Sequence, residues 1–256
     1  MKRYVLIPVT IVVLCVVALT SWISLTHEDN TKIPMRTVTD ATGTEVVIPQ
    51  HPKRVVILNS ANLDMYYAVG GTVVGKPTSS YISKEIREKT KDVPAVGTLH
   101  SPSVEAIIGL HPDLVIGINV PFNTNLRDIL AQADIPLYIN DLDTYDDVVT
   151  TLTFFGELTN QPDVAKATAD KAMANYNKLV DDAKKQKGPR SLIIFGAPGS
   201  FSMATSKAFS GNLLELLGGH NIADMATGLD GDYVPLSMEY VVKNDPEVIF
   251  FYQYVA

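Results

Sequence analysis

His100 stands directly before Ser101-Pro102-Ser103, and Glu105 follows two residues later, in the stretch GTLHSPSVE. A neutral imidazole ligates transition metals and heme iron. Serine ahead of an apolar run starts helices, and a carboxylate in the first turn is favoured by the helix dipole. The residues alone leave two readings of His100 open: a metal ligand, or a polar residue in the loop ahead of a helix. His27, His51, His111 and His220 have no such setting and read as polar surface. A second stretch, PLSMEYVVKNDPEVIF, repeats the pattern of SPSVEAIIGLHPDLVI. Each is Ser-x-Glu, an apolar helix, then Pro-acid and a buried strand, so Glu239 is the counterpart of Glu105.

The elements that must position these residues follow from hydrophobic spacing. Residues 37–48 (TVTDATGTEVVI) alternate apolar and polar positions around Asp-Ala-Thr-Gly and predict a hairpin. Residues 54–58 (RVVIL) form a short continuous apolar run, as expected of a strand buried on both faces. Asn59-Ser60 then cap a helix to about Val69, and residues 72–75 read as the next strand. Residues 101–110 and 124–132 read as helices, residues 113–117 and 136–139 as strands. Strands alternating with helices make a mostly parallel sheet. Residues 145–158 and 163–186 read as two helices. In the second, Ala165, Ala169, Met173, Tyr176, Val180 and Ala183 form one apolar stripe, and its ~36 Å length suits a spine between two lobes. Strands at 191–195 and 248–252, a turn at 197–200, and helices at 211–217 and 236–242 restore α/β character. The expected organisation is a leader at 1–26, a linker at 27–36, an N-terminal α/β lobe at 37–142, a helical segment at 143–188 and a C-terminal α/β lobe at 189–256.

Composition narrows the function. Of 256 residues, 46% are hydrophobic and 19% charged, which fits a packed body rather than disorder. A net charge of -7 without a basic block argues against nucleic acid. Lys2 and Arg3 precede an uncharged run at 4–26. That length of helix reaches ~33 Å, about the hydrocarbon thickness. It reads as an export signal kept as an anchor, with cleavage as the alternative; the basic flank sends the rest of the chain outside. Cys15, the single cysteine, lies in that run, so the exported part has neither disulfide nor cysteine metal site. Leu14 before it departs from a lipoprotein signal.

The paired Ser-x-Glu helices, with TVTDATGTEVVIPQHPKRVVIL, VGTLHSPSVEAIIGLHPDLVIG and FGAPGSFSMATSKAFSGNLLELLGGHNIA, resemble the substrate-binding proteins of ABC importers in the iron-siderophore, heme and cobalamin group. The resemblance runs from residue 37 onward and is nearest to Gram-positive surface heme receptors. It implies two rigid lobes flanking a cleft, joined by a long helix, and a monomer on the outer face of the cell membrane. It implies that Glu105 and Glu239 dock arginine pockets of a membrane permease. It also implies further strands and helices beyond residue 256, so the second lobe reads as incomplete.

The resemblance places an axial heme-iron ligand at His100 and a second at Tyr254, with Tyr252 as the alternative. Both positions depart from the methionine and histidine of the heme receptors, yet imidazole and tyrosinate both ligate heme iron. Ligands in α/β lobes bind beyond the carboxyl ends of strands. Ser60 and Ser200 are therefore candidate amide donors to the heme propionates, and Tyr81 and Met203 candidate packing groups. A ferric siderophore would meet arginines and cobalamin would meet tryptophans. Arginine is sparse near the expected cleft and Trp22 lies in the leader, which favours heme. No Gly-x-Ser-x-Gly, His-Glu-x-x-His or phosphate-loop motif marks an enzyme. A membrane-anchored sensor is a further alternative, which the paired glutamates disfavour.

Overall fold

The computed structural model describes residues 33–183, 185, 187–197, 199–226 and 228–253. The leader and Tyr254 lie outside the described residues. Strands β1 (Met35–Thr39) and β2 (Glu45–Pro49) form the expected hairpin, so β1 starts inside the segment read as a linker. Its turn is held by the buried Asp40 carboxylate. That group accepts hydrogen bonds from Thr42 N at 2.9 Å, Thr42 Oγ1 at 2.6 Å and Arg127 Nη2.

The first lobe is built on three parallel strands in the order β3 (Val55–Ile57), β6 (Leu114–Ile118) and β7 (Leu137–Asn140). β3 and β6 are short uninterrupted apolar runs because helices cover both faces. Val55, Ile57, Leu114 and Ile116 pack on one side with Tyr66 and Phe155. Val56, Val115, Leu137 and Ile139 pack on the other with Ile107 and Leu130. Residues 72–75 are not a strand. They meet β3 through one parallel bridge, Val56 to Gly75, because Gly70-Gly71 before them and Pro77 after them leave too short an extended run.

Helix α1 (Ser60–Ala68) follows β3, and α2 (Lys84–Lys89) lies beyond it. The helix expected at 101–110 is shorter. Ser101–Pro102 is strand β5, paired antiparallel with β4 (Gly97–Thr98), and α3 runs only from Val104 to Gly109. Its cap is Ser103, whose side chain accepts Ala106 N–H. The helix expected at 124–132 is split into α4 (Pro121–Thr124) and α5 (Arg127–Ala131).

Helix α6 (Tyr145–Leu158) starts with a reciprocal Thr144–Asp147 capping box. Helix α7 (Pro162–Ala183) is the spine, ~33 Å long. The two helices touch at Gly156, where an added Cβ would lie 2.2 Å from Ala165 Cβ. A glycine there permits close packing.

The second lobe departs from the expected mostly parallel sheet. Strand β8 (Arg190–Ala197) turns at Gly199 into an antiparallel partner, β9 (Ser200–Ala204), which the sequence reading missed. Helix α8 (Phe209–Leu216) and the short β10 (His220–Asn221) follow. Strand β11 (Tyr233–Pro235) pairs antiparallel with β9. Helix α9 (Met238–Asn244) leads to β12 (Val248–Gln253), parallel to β8. The sheet is therefore mixed. Among the described residues no helix is long and apolar enough to cross a membrane.

Candidate functional site

His100 occupies the two-residue turn Leu99-His100 between β4 and β5. The turn is rigid for local reasons. Gly97 has φ +99, and a Cβ there would come within 2.4 Å of Ser101 O, so glycine is required. Ser101 N–H donates to Thr98 Oγ1 at 3.2 Å, and Ser103 N–H to Val96 O at 2.7 Å. The fully buried Asn123 ties the turn to the sheet. Its Nδ2 donates to Leu99 O at 3.2 Å and its Oδ1 accepts Ile118 N–H at 3.1 Å. Phe122, on the same short helix, meets the His100 ring edge-on at 5.1 Å between centroids. Sequence reading missed Asn123; an Asn two residues beyond Pro121 gave no local signal of a partner 24 residues upstream.

His100, Ser60 and Tyr81 line one cavity of about 340 Å³, together with Asn59, Thr78 and Leu99. Asn59 is 6% exposed, and its Oδ1 is buried with no hydrogen-bond partner. It holds the N-cap position of α1 yet makes no capping bond. The first helical bond is Leu63 N–H to Asn59 O, which leaves the earlier amides of α1 without intrahelical acceptors. The start of α1 thus presents N–H groups and the positive end of a helix dipole on this wall of the cavity. Such a surface suits an anionic group of a ligand.

The expected packing role of Met203 is corrected: it is 1% exposed inside the second-lobe core with Leu192 and Val234, out of reach of a ligand. Ser200 is exposed but borders a different, apolar hollow with Phe201, Met238 and Phe251. Tyr252 stands at the carboxyl end of β12, with its hydroxyl 3.1 Å from Tyr233 Oη and 3.5 Å from Ser210 Oγ.

Carboxylates cluster just after β7, at Asp141, Asp143 and Asp147. Asp143 is pushed up to about 6 by partial desolvation first, then by the charges of Asp141, Asp232 and Asp147. Asp141 is also raised, chiefly by burial, against a hydrogen bond with Asn119. The Tyr233 hydroxyl is raised by burial, by its bond to Tyr252 and by Asp143 and Asp232.

Glu105 and Glu239 sit in matching surroundings. Each is exposed in the first turn of a short helix whose serine cap, Ser103 or Ser237, accepts an N–H three residues on. Among the described residues no cluster of three or more His, Cys, Asp or Glu side chains could hold a bare metal ion.

The periplasmic binding protein family model matches residues 55–254. The chain is 29% identical over 241 residues to the high-affinity heme uptake system protein IsdE of Staphylococcus aureus, covering 94% of this chain and 74% of the relative. The crystal structure of S. aureus IsdE complexed with heme superposes with a TM-score of 0.70 at 28% identity, over 79% of this chain and 76% of that one. S. aureus SirA complexed with staphyloferrin B shares the fold, with a TM-score of 0.70 at 23% identity, over 86% and 77% of the two chains.

Proposed function

The chain belongs to the periplasmic binding protein family, and on that premise we propose that it captures heme in the cleft between its lobes and passes it to an ABC permease. At the coarser level it is the substrate-binding component of an ABC importer of the iron-siderophore, heme and cobalamin group. It is a transport component, not an enzyme. The observation that carries the heme reading is His100, held on a braced turn at a cavity that the uncapped start of α1 also lines. Iron that arrives with four porphyrin nitrogens needs only axial donors. One imidazole meets that need, whereas a bare ion would require a cluster. The propionates face the start of α1 at Ser60, and Tyr81 packs against the macrocycle. A second-lobe tyrosine oxygen, from Tyr254 or Tyr252, supplies the other axial position. Similarity to IsdE supports the same ligand class.

Glu105 and Glu239 dock the permease, since each carboxylate is presented at a helix start where a bidentate arginine can reach it. The protein works at the outer face of the membrane, held there by the segment at residues 1–26. Titration with hemin, a ferric siderophore and cobalamin, read by visible spectroscopy, tests the ligand. A Soret shift with hemin that His100→Ala alters is expected. Binding of either competitor in place of hemin refutes the reading.

A further inference from the structure

The two helices that carry Glu105 and Glu239 are held at their far ends by the same device. In the first lobe Arg54, just before β3, donates from Nε to His111 O at 2.9 Å and from Nη2 to Leu110 O at 2.6 Å, the carbonyls that end α3. In the second lobe Arg190, the first residue of β8, donates from Nε and Nη2 to Asp245 O at 3.2 and 2.9 Å, at the end of α9. The backbone of each arginine is tied down alike. Asp113 Oδ1 accepts Arg54 N–H at 2.8 Å, and Asp113 N–H donates to Arg54 O at 3.0 Å. Glu247 Oε2 accepts Arg190 N–H at 2.9 Å, and Glu247 N–H donates to Arg190 O at 2.8 Å. His111 and Asp245 hold matching left-handed backbone, φ 46 and φ 43, directly ahead of Pro112 and Pro246. Each stands six residues after its glutamate.

We propose that Arg54 and Arg190 are positioning residues for permease docking: each clamps the joint between a docking helix and the strand that follows, and so sets the direction in which Glu105 or Glu239 points. The proposal rests on the docking reading above. Helix α3 has six residues and α9 seven, too few to be stable alone. A cation at the last carbonyls satisfies them and complements the negative end of the dipole. The planar guanidinium fork also fixes direction, where an ammonium on a flexible stem leaves rotation free. Left-handed backbone is uncommon for residues other than glycine, so each joint needs a group that pins it. Both arginines are exposed, so these bonds rather than core packing account for the residue type. Bidentate pairing of arginine with carboxylate tolerates little misalignment. A tilt of either helix therefore weakens the hold on the permease and spares the cavity, which other residues line.

The test uses the full chain carrying Arg54→Met or Arg190→Met, which keep a side-chain stem and remove the donors. Amide hydrogen exchange should quicken over residues 104–109 in the first variant and 238–244 in the second, with the cavity loop at 77–81 unchanged. Import of hemin into cells at limiting amounts of the protein should fall by roughly 2- to 10-fold, the equivalent of one net hydrogen bond. Hemin affinity should stay at the parent value. Arg54→Met added to Glu105→Gln should lower import no further than Glu105→Gln alone, because the arginine acts through that carboxylate. Arg54→Lys and Arg190→Lys keep one donor and should fall between parent and methionine variants. They carry the test if the methionine variants do not fold, and parent-like exchange and import in them would then overturn the proposal. Unchanged helix exchange, unchanged import or an additive loss in the double variant overturns it as well. Normal import by the chain with both glutamates changed to lysine refutes the docking reading itself, a failure that the exchange measurement does not share.

Discussion

Removing the Asn123 side chain should loosen the His100 turn and destabilise the first lobe together. Asn123→Ala deletes two hydrogen bonds in a fully buried site and strands Ile118 N–H and Leu99 C=O. Each stranded partner costs about 1–3 kcal/mol, so a loss of ~2–6 kcal/mol is expected, with relaxation of the small cavity and hydration of the part-buried turn favouring the lower value. Urea unfolding at pH 7.5 measures it through the midpoint, and hemin titration of the same sample reads the loosened turn. Asn123→Asp separates the two bonds. One carboxylate oxygen can still accept from Ile118 N–H, but the other faces the Leu99 carbonyl, acceptor to acceptor. When protonated, that oxygen donates and the bond to the turn returns. Burial raises the pKa of such an aspartate in the folded state. Its stabilising proton is therefore in place at low pH and lost as pH rises through the folded pKa. The midpoint deficit of Asn123→Asp relative to the parent should thus shrink between pH 7.5 and pH 4.5, while that of Asn123→Ala stays constant. A deficit below about 0.5 kcal/mol for Asn123→Ala, or identical pH profiles for the two variants, would refute the bracing role.

Other expectations follow from the same geometry. Asp143→Asn should raise the melting temperature at pH 7–8 and leave it unchanged near pH 3. A raised carboxyl pKa of about 6 means that the charged form costs stability, a cost that is absent below the ordinary value of 3.8, grows as pH rises from there and is complete above about 6. Asp40 behaves oppositely. Burial raises its pKa, but hydrogen bonds from Thr42, Arg127 and Thr44 outweigh that and hold it below 3.8. Its contribution is complete above pH 3.8 and lost as pH falls through the lowered value, so Arg127→Met should destabilise at pH 7 and much less near pH 2, by thermal melts. Gly156→Ala should cost about 1–3 kcal/mol in urea unfolding by forcing α6 from α7. Glu105→Lys with Glu239→Lys should abolish import into cells while leaving ligand titration unchanged; normal import would remove both from the docking role.

Features carried by local sequence were legible. The helix at 145–158 and the β1–β2 turn are each written within a short stretch, and both appear where the residue pattern puts them. The short apolar runs 54–58 and 113–117 were readable because both faces of a parallel sheet demand the same residues. Errors arose where distant partners decide. Ser101-Pro102 has the local look of a helix start, but pairing with Gly97-Thr98 wins and moves the cap to Ser103. SFSMA (200–204) has the composition of a turn exit, yet β8 and β11 flank it and make it a strand. Met203 alternates inward on that strand, which removes it from the cleft.

The division between readable and unreadable also falls inside the site. An exposed carboxylate at a serine-capped helix start is a device complete within three residues, so the residue pattern shows it twice. Ligand capture needs groups brought together from separate elements. His100 reaches the cavity only because Asn123, 23 residues on, holds the Leu99 carbonyl. The cavity wall is open only because Asn59 makes no capping bond, although its residue type predicts one. That unmet cap is a local rule broken without any gain inside the protein, in a residue 94% removed from solvent by its 6% exposure. Leaving a buried amide oxygen unpaired costs about 1–3 kcal/mol. That oxygen is an acceptor sealed from solvent, so it is the neighbouring amides at the start of α1, not the Asn59 side chain, that the cavity can offer to an anionic group.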